Sequence, residues 1–143
     1  MHVSQLMRTP AVSCRPATTV REVAQLMDSR NVGSVLVVDI GGYLAGIVTD
    51  RDVAIRGVAA GRSGDVAVET IMTRDVASIG PATDVTDVAA LMEKRGVRRV
   101  PVVDDMGKVH GLVAFDDLVR HLGHETDSLT GTLLGQALRS SGW

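Results

Sequence analysis

The residues best suited to chemistry lie in one short segment, G-I-V-T-D-R-D at positions 46–52. Gly46 leaves room beside the backbone, the apolar pair after it is typical of a strand, and Thr49 and Asp52 flank the first turn of a helix. A helix N-terminus offers free amides to an anion. Asp52 could accept hydrogen bonds from two ribose hydroxyls, and Arg51 carries a charge suited to a phosphate. The segment therefore indicates a ribose and phosphate site.

The same segment has a purely structural interpretation. Thr49 and Asp52 form a capping box, which stabilises a helix start without any ligand. A second copy stands at positions 111–117, where Ala114 replaces the hydroxyl while Asp117 is kept. Capping alone does not require Asp117, although the helix dipole could still favour an acidic residue there. Both interpretations stay open on the sequence.

The two segments belong to a repeat that covers most of the chain. Met7 aligns with Met72, and the three motif and turn positions Gly42, Gly46 and Asp52 align with Gly107, Gly111 and Asp117. The offset stays at about 65 residues without a gap, and about 20 of roughly 50 aligned positions are identical, as in repeat proteins. We therefore expect two copies of one unit, with the function located where they meet.

Each copy predicts the order strand, helix, strand, strand, helix. A capping box at Thr19 and Glu22 opens the first helix, and Asp84 opens its counterpart. Short apolar runs at 11–14, 35–38 and 100–103 predict strands, and return strands begin at Gly46 and Gly111. Second helices are expected at 51–59 and 116–122, with a glycine-rich linker at 57–65. Leucines at helical spacing beyond position 127 predict a short C-terminal helix that covers either the core or a second protomer.

Composition excludes several classes of function. The 143 residues carry a net charge of −2 and only 2 % aromatics, which argues against nucleic-acid or membrane binding. Cys14 is the single cysteine and is expected to be a buried small hydrophobe. His121, His124 and Glu125 have a spacing that could hold a metal but lack a third strong ligand, so no metal site is predicted. No signal pattern and no apolar stretch of membrane length is found, so we expect a soluble, cytoplasmic protein. No catalytic constellation emerges, so we expect that the protein is not an enzyme.

Tandem copies of this unit with a G-h-x-T-x-x-D segment resemble a pair of cystathionine-β-synthase (CBS) domains, a Bateman module. The resemblance covers residues 7–122 and implies an α+β fold. It implies two β-α-β-β-α repeats packed about a pseudo-twofold axis, plus the short C-terminal helix. The corresponding boundaries are 1–64 for the first repeat, 65–126 for the second and 127–143 for the tail.

The resemblance also implies adenosine ligands (AMP, ADP, ATP or S-adenosylmethionine) in clefts between the repeats. The family's aspartate holds the ribose, its threonine lies near the ribose or phosphate, and the opposite repeat supplies the base pocket. Family members often place basic residues where Arg98 and Arg99 stand. The main cleft then comprises Thr49, Arg51, Asp52, Ala77, Val97, Arg98 and Arg99. A second, weaker cleft comprises Val12, Val32, Gly33, Ser34, Ala114 and Asp117, and is expected to be empty or to take an uncharged adenosine.

The expected function is that of a stand-alone regulatory module that binds an adenine nucleotide and requires no cofactor. Binding would signal through a change in conformation or in a homodimer, and an effector protein could receive that signal. The alternative is an interaction or structural module whose clefts are vestigial and empty.

Overall fold

The computed structural model describes residues 1–123, so the predicted C-terminal helix lies outside the described residues. The first repeat contains β1 (Ser13–Cys14), α1 (Val20–Arg30), β2 (Ser34–Val38), β3 (Leu44–Thr49) and α2 (Asp50–Asp52), which continues as a π-helical segment (Val53–Ala59). The second repeat contains α3 (Val85–Arg95), β4 (Arg99–Val103), β5 (Val109–Ala114) and α4 (Phe115–Gly123). The predicted α+β class and repeated element order are confirmed.

The first helix of each repeat begins at the cap that the sequence predicts. Thr19 Oγ1 accepts from the amide of Glu22 at 3.1 Å, and the Glu22 carboxylate accepts from the amide of Thr19 at 2.9 Å. Asp84 accepts from the amide of Thr86 at 2.9 Å, and its hydrogen bonds to the Thr86 side chain and backbone lower the pKa of Asp84 to about 2. Both helices then bury one apolar face.

The strand order brings the end of β3 beside the start of β2. β1 pairs parallel to β2, and β2 pairs antiparallel to β3, so that Ser34 lies opposite Thr49. All five residues of β2 are buried, as the apolar run at 35–38 predicts for the last four, and the polar Ser34 is buried with them. In the second repeat β4 pairs with β5, and the strand corresponding to β1 is reduced to a single bridge between Ile79 and Val102.

The chain forms two compact units, and neither unit consists of one continuous repeat. One unit is Pro10–Val76 with Val103–Val109; the other is Met1–Thr9 with Ala77–Val102 and, among the described residues, 110–123. Met1–Thr9, here called the N-terminal strap, therefore packs with the second repeat. The equivalent segment at 66–76, here called the linker strap, packs with the first.

The straps pair with the repeats through matching backbone hydrogen bonds. Arg8 and Leu112 exchange two bonds of 2.8 and 3.1 Å, and the aligned residues Thr73 and Ile47 exchange two bonds of 2.9 and 3.0 Å. Each strap also contributes to the core of its unit. Val3 is fully buried beside the α3 residues Val85 and Val88, and the linker strap buries Val68, Ile71 and Met72 against α1 and β2.

The helix that follows β3 departs from regular α-helical form after one turn. The predicted helix at 51–59 is present, but Val53–Ala59 is π-helical, and Gly57 is buried within it rather than lying in a flexible linker. π-Helical turns often occur beside functional sites. No helix within residues 1–123 has the length and apolarity needed to cross a membrane.

Candidate functional site

The motif of the first repeat folds into a reciprocal cap at the junction of β3 and α2. The amide of Thr49 donates to Asp52 Oδ2 at 2.9 Å, and the amide of Asp52 donates to Thr49 Oγ1 at 3.2 Å. The Asp52 side chain is 16 % exposed. One carboxylate oxygen is thus fixed by the backbone, which orients the group and leaves the other oxygen for a further partner.

Asp52 Oδ1 faces a guanidinium that the sequence analysis did not select. Arg56 Nε lies 3.8 Å from Asp52 Oδ1. Arg56 Nη1 also donates to the carbonyl of Ile71 at 3.1 Å and to Thr73 Oγ1 at 3.3 Å, both in the linker strap. The spacing of Asp52 and Arg56 is the signal that could have identified the pair, because residues four apart face each other on a helix.

The second repeat orients its motif aspartate in the same way. Asp117 Oδ2 accepts from the amide of Ala114 at 3.2 Å, although Ala114 has no hydroxyl to return the contact. Asp117 Oδ1 faces Arg8 Nη2 at 3.4 Å, and the Asp117 side chain is 12 % exposed. The guanidinium here comes from the N-terminal strap. Arg8 and Asp117 are 109 residues apart, so no local pattern in the sequence could have paired them.

The structure divides the predicted site residues between the two units. The unit of the first repeat holds Thr49, Arg51 and Asp52 from the main-cleft prediction, with Val12, Val32, Gly33 and Ser34 from the second-cleft prediction. The other unit holds Ala77, Val97, Arg98 and Arg99 from the main-cleft prediction, with Ala114 and Asp117. The combination of residues from both repeats in one cleft stays a prediction.

Within the first repeat, the start of β2 adjoins the start of α2. The amide of Asp50 donates to the carbonyl of Gly33 at 3.0 Å, and Ser34 is buried opposite Thr49. Val12 reaches the same strand, because its carbonyl accepts from the amide of Leu36 at 3.0 Å. Residues that the sequence analysis assigned to different clefts are therefore neighbours within this unit.

The second repeat shows the same adjacency, with an added charge pair. The amide of Phe115 donates to the carbonyl of Arg98 at 2.8 Å. The Arg98 guanidinium lies 3.4 Å from Asp116 and 5.7 Å from the centre of the Phe115 ring. Arg98 therefore lies beside the motif of its own repeat.

The apolar positions predicted to contact a base remain accessible. Val12, Val32 and Ala77 are half-buried, and Val97 is exposed. Arg51 is also exposed, and its backbone amide donates to Asp50 Oδ1 at 2.8 Å. Val12 and Val32 also pack partly against the core of the first unit.

A cavity of about 300 Å³ adjoins the second motif, and Asp117 forms part of its wall with Gln5, Leu6, Arg120 and His121. A second cavity of about 430 Å³ lies in the other unit beside β1 and α1. Cys14 lines it, and burial raises the pKa of this thiol to about 11. Cys14 is half-buried rather than fully buried as predicted, because one side of it lines this cavity while the other packs against the first core.

Metal-ligating side chains do not gather in the part of the chain that the structure describes. Residues 1–123 contain no group of three or more histidine, cysteine, aspartate or glutamate side chains placed to hold an ion. Of the three residues whose spacing could hold a metal, His121, His124 and Glu125, the last two lie outside the described residues.

Comparison with known families decides the assignment. The family model for the CBS domain matches residues 3–57 and 68–124, in agreement with the two repeats. The chain belongs to the CBS-domain family as a tandem pair. This CBS pair is 38 % identical over 125 residues to the CBS domain-containing protein YhcV of Bacillus subtilis, covering 87 % of this chain and 88 % of that protein. It is 37 % identical over 120 residues to an uncharacterized 17.7 kDa protein of Acidianus ambivalens, covering 84 % and 72 %.

Solved CBS pairs share the fold of this chain. The CBS pair of protein MJ0100, in complex with methylthioadenosine and S-adenosyl-L-methionine, superposes with a TM-score of 0.80 at 30 % identity, covering 88 % of this chain and 98 % of that one. CBSX2 in complex with AMP gives a TM-score of 0.75 at 26 % identity, covering 87 % and 97 %. The names of YhcV, MJ0100 and CBSX2 state no enzymatic activity.

Proposed function

We propose that this CBS pair is a regulatory module that binds an adenine nucleotide of the AMP, ADP or ATP type through its motif aspartates. One observation carries the proposal. In both repeats, Oδ2 of the aspartate is fixed by the amide three residues earlier, while Oδ1 faces a guanidinium. The second repeat keeps this arrangement without the capping hydroxyl, so capping alone does not account for it.

The arrangement suits the ribose and phosphate of a nucleotide. A carboxylate accepts hydrogen bonds only, so an oriented Asp52 or Asp117 can take the hydroxyls of a ribose. Guanidinium groups hold five N–H donors in a fixed plane, so Arg56 and Arg8 can contact a ligand oxygen while remaining beside the carboxylate. Partly exposed apolar residues, Val12 and Val32 in one unit and Ala77 and Val97 in the other, would supply apolar surface for a base.

The ligand class rests on what the relatives bind. MJ0100 is described with methylthioadenosine and S-adenosyl-L-methionine, and CBSX2 with AMP. These ligands share an adenosine moiety and differ at the 5′ substituent. We therefore assign the adenosine recognition to the motif aspartates and the choice among ligands to the neighbouring charges.

The proposed sites retain the pairing of repeats that the family resemblance implies. The main site combines the Asp52 motif with Ala77, Val97, Arg98 and Arg99 from the other repeat, and requires no cofactor. The second, weaker site combines the Asp117 motif with Val12, Val32, Gly33 and Ser34. A ligand that favours one arrangement of the repeats would shift the population of conformations and so transmit a signal.

Signalling is proposed to pass through a homodimer to an effector protein in the cytoplasm. Ile55 and Val58 on the π-helical segment are 52 % and 75 % exposed, which gives the second helix of the first repeat apolar surface for a partner. That same surface favours the alternative function, an interaction module with empty clefts, because an interface needs no nucleotide.

A thermal-shift titration separates the two functions. Adenosine, AMP, ATP and S-adenosylmethionine are added to the full chain, with Asp52→Asn/Asp117→Asn as the matched variant. A nucleotide that binds the folded state raises the midpoint with concentration in the wild-type protein and not in the double variant. An unchanged midpoint in the wild-type protein with all four compounds would support the interaction module.

A further inference from the structure

The Asp117 site contains an arginine, Arg8, that the alignment of the two repeats did not predict. Arg8 Nη2 lies 3.4 Å from Asp117 Oδ1, and the Arg8 side chain remains 56 % exposed. We propose that Arg8 enables this site to take an adenosyl ligand with an anionic 5′ substituent, such as a phosphate, in place of the uncharged adenosine expected from the sequence. The inference rests on the proposed function and adds a specificity-determining residue to it.

The backbone of the N-terminal strap fixes the position of Arg8. The amide of Arg8 donates to the carbonyl of Leu112 at 2.8 Å, and its carbonyl accepts from the amide of Leu112 at 3.1 Å. Five residues earlier, Val3 is fully buried in the core of the same unit. The Arg8 side chain is therefore attached to an ordered backbone. Its exposed N–H groups can reach a ligand without unfolding of the strap.

Comparison of the repeats supports a role for this charge. In the first repeat, Arg56 on the helix faces the aspartate while Thr73 stands on the strap. In the second, Arg8 on the strap faces the aspartate, and the helix position aligned with Arg56 is His121. A guanidinium thus meets the same carboxylate oxygen in both repeats, although it comes from different elements. The two repeats therefore share a positive charge beside the aspartate, although the arginine that carries it stands at a different backbone position in each.

The remaining charges at the start of α4 do not replace Arg8. Asp116 stands where the first repeat has Arg51, and Arg98 lies 3.4 Å from Asp116. Ala114 provides no hydroxyl for a phosphate. Arg120 is the rival cation, because it lines the cavity that also contains Asp117.

The charge of Arg8 predicts an order of preference among adenosyl ligands. A guanidinium attracts a phosphate and repels a sulfonium at the same position. The Asp117 site should therefore bind AMP more tightly than neutral adenosine, and adenosine more tightly than S-adenosylmethionine. Because Arg8 is half exposed, water and salt weaken the effect, and we expect a preference of roughly three- to tenfold for AMP over adenosine.

Calorimetry on the full chain tests this inference in an Asp52→Asn background, so that the Asp117 site is the reporter. Arg8→Gln should reduce the ratio of AMP to adenosine affinity toward one while leaving adenosine affinity within about twofold. Arg120→Gln and Arg74→Gln should leave the ratio unchanged. Arg74 is a suitable control because it is an exposed arginine on the linker strap that donates to the carbonyl of Glu69.

The results of these titrations separate the role of Arg8 from the proposed function. A ratio that Arg8→Gln does not change, or that falls in Arg120→Gln instead, overturns the role of Arg8 and leaves the proposed function standing. Failure of the wild-type chain to bind any of the three compounds overturns the proposed function and this inference with it. Thermal melts of Arg8→Gln establish that the variant is folded, which its retained backbone pairing with Leu112 predicts.

Discussion

Thr49 and Asp52 hold each other through two hydrogen bonds, from the amide of Thr49 to Asp52 Oδ2 and from the amide of Asp52 to Thr49 Oγ1. The pair closes the first turn of α2 and also orients the carboxylate. The capping and ligand-binding interpretations of this motif are therefore compatible. The cap occupies Oδ2, while Oδ1 remains beside Arg56.

Removal of the cap should weaken the first repeat. We expect Thr49→Ala to lower the free energy of unfolding by about 1 kcal/mol, the typical effect of losing a helix cap, while Thr49→Ser keeps the hydroxyl and most of the stability. Urea denaturation measures the difference. Equal stability of the alanine and serine variants would show that the hydroxyl contributes nothing to the cap.

The strap contacts can be tested at Gly111. A Cβ at this position would lie 2.7 Å from the carbonyl oxygen of Arg8 and 2.9 Å from Met7 Sδ, both in the N-terminal strap. Gly111→Ala should therefore destabilise the protein by roughly 1–3 kcal/mol and increase amide exchange at Arg8. Gly80→Ala is the matched control, since a Cβ added there would meet nothing within 4 Å and the φ of Gly80 is not positive. Similar effects of both substitutions would contradict close packing of the strap.

The Cys14 thiol should react slowly with alkylating reagents. Its pKa is raised to about 11 by burial, so the reactive thiolate is scarce at neutral pH. We expect labelling of the native protein to be far slower than labelling of the urea-unfolded chain at about pH 8, and to accelerate only above about pH 10. Equal native and unfolded rates at the lower pH would show that Cys14 is not protected.

A homodimer is expected at concentrations of tens of micromolar, an order-of-magnitude choice for a weak dimer. If the second helix of the first repeat forms the interface, Val58→Asp should shift light scattering toward the monomer, because Val58 is 75 % exposed on that helix. Ile40→Asp is the control, since Ile40 is 94 % exposed in the turn between β2 and β3. Detection of monomer alone in the wild-type protein would remove the claim.

The elements that local signals specify were predictable from the sequence. The caps at Thr19 and Asp84 define helix starts through contacts within three residues, and the buried run of β2 follows from its apolar composition. The strap pairings were not predictable, because Arg8 and Leu112 meet only through the tertiary fold. For the same reason, the motif segment could be identified in the sequence. The partner of Asp117 could not, because Arg8 lies near the other end of the described chain.

Two local features of the fold were also not predicted from the sequence. The periodicity of residues 51–59 indicates a helix but does not distinguish α-helical from π-helical hydrogen bonding. The second repeat has a single bridge, between Ile79 and Val102, where the first has the two-residue strand β1. Neither departure moves the motif aspartate from its place at the helix start.

Calorimetric titration of AMP into the wild-type, Asp52→Asn and Asp117→Asn proteins tests the central claim most directly. We expect Asp52→Asn to abolish most of the binding, because the main site loses its ribose acceptor, and Asp117→Asn to change the tight binding little. Loss of binding with Asp117→Asn but not with Asp52→Asn would contradict the assignment of the main site.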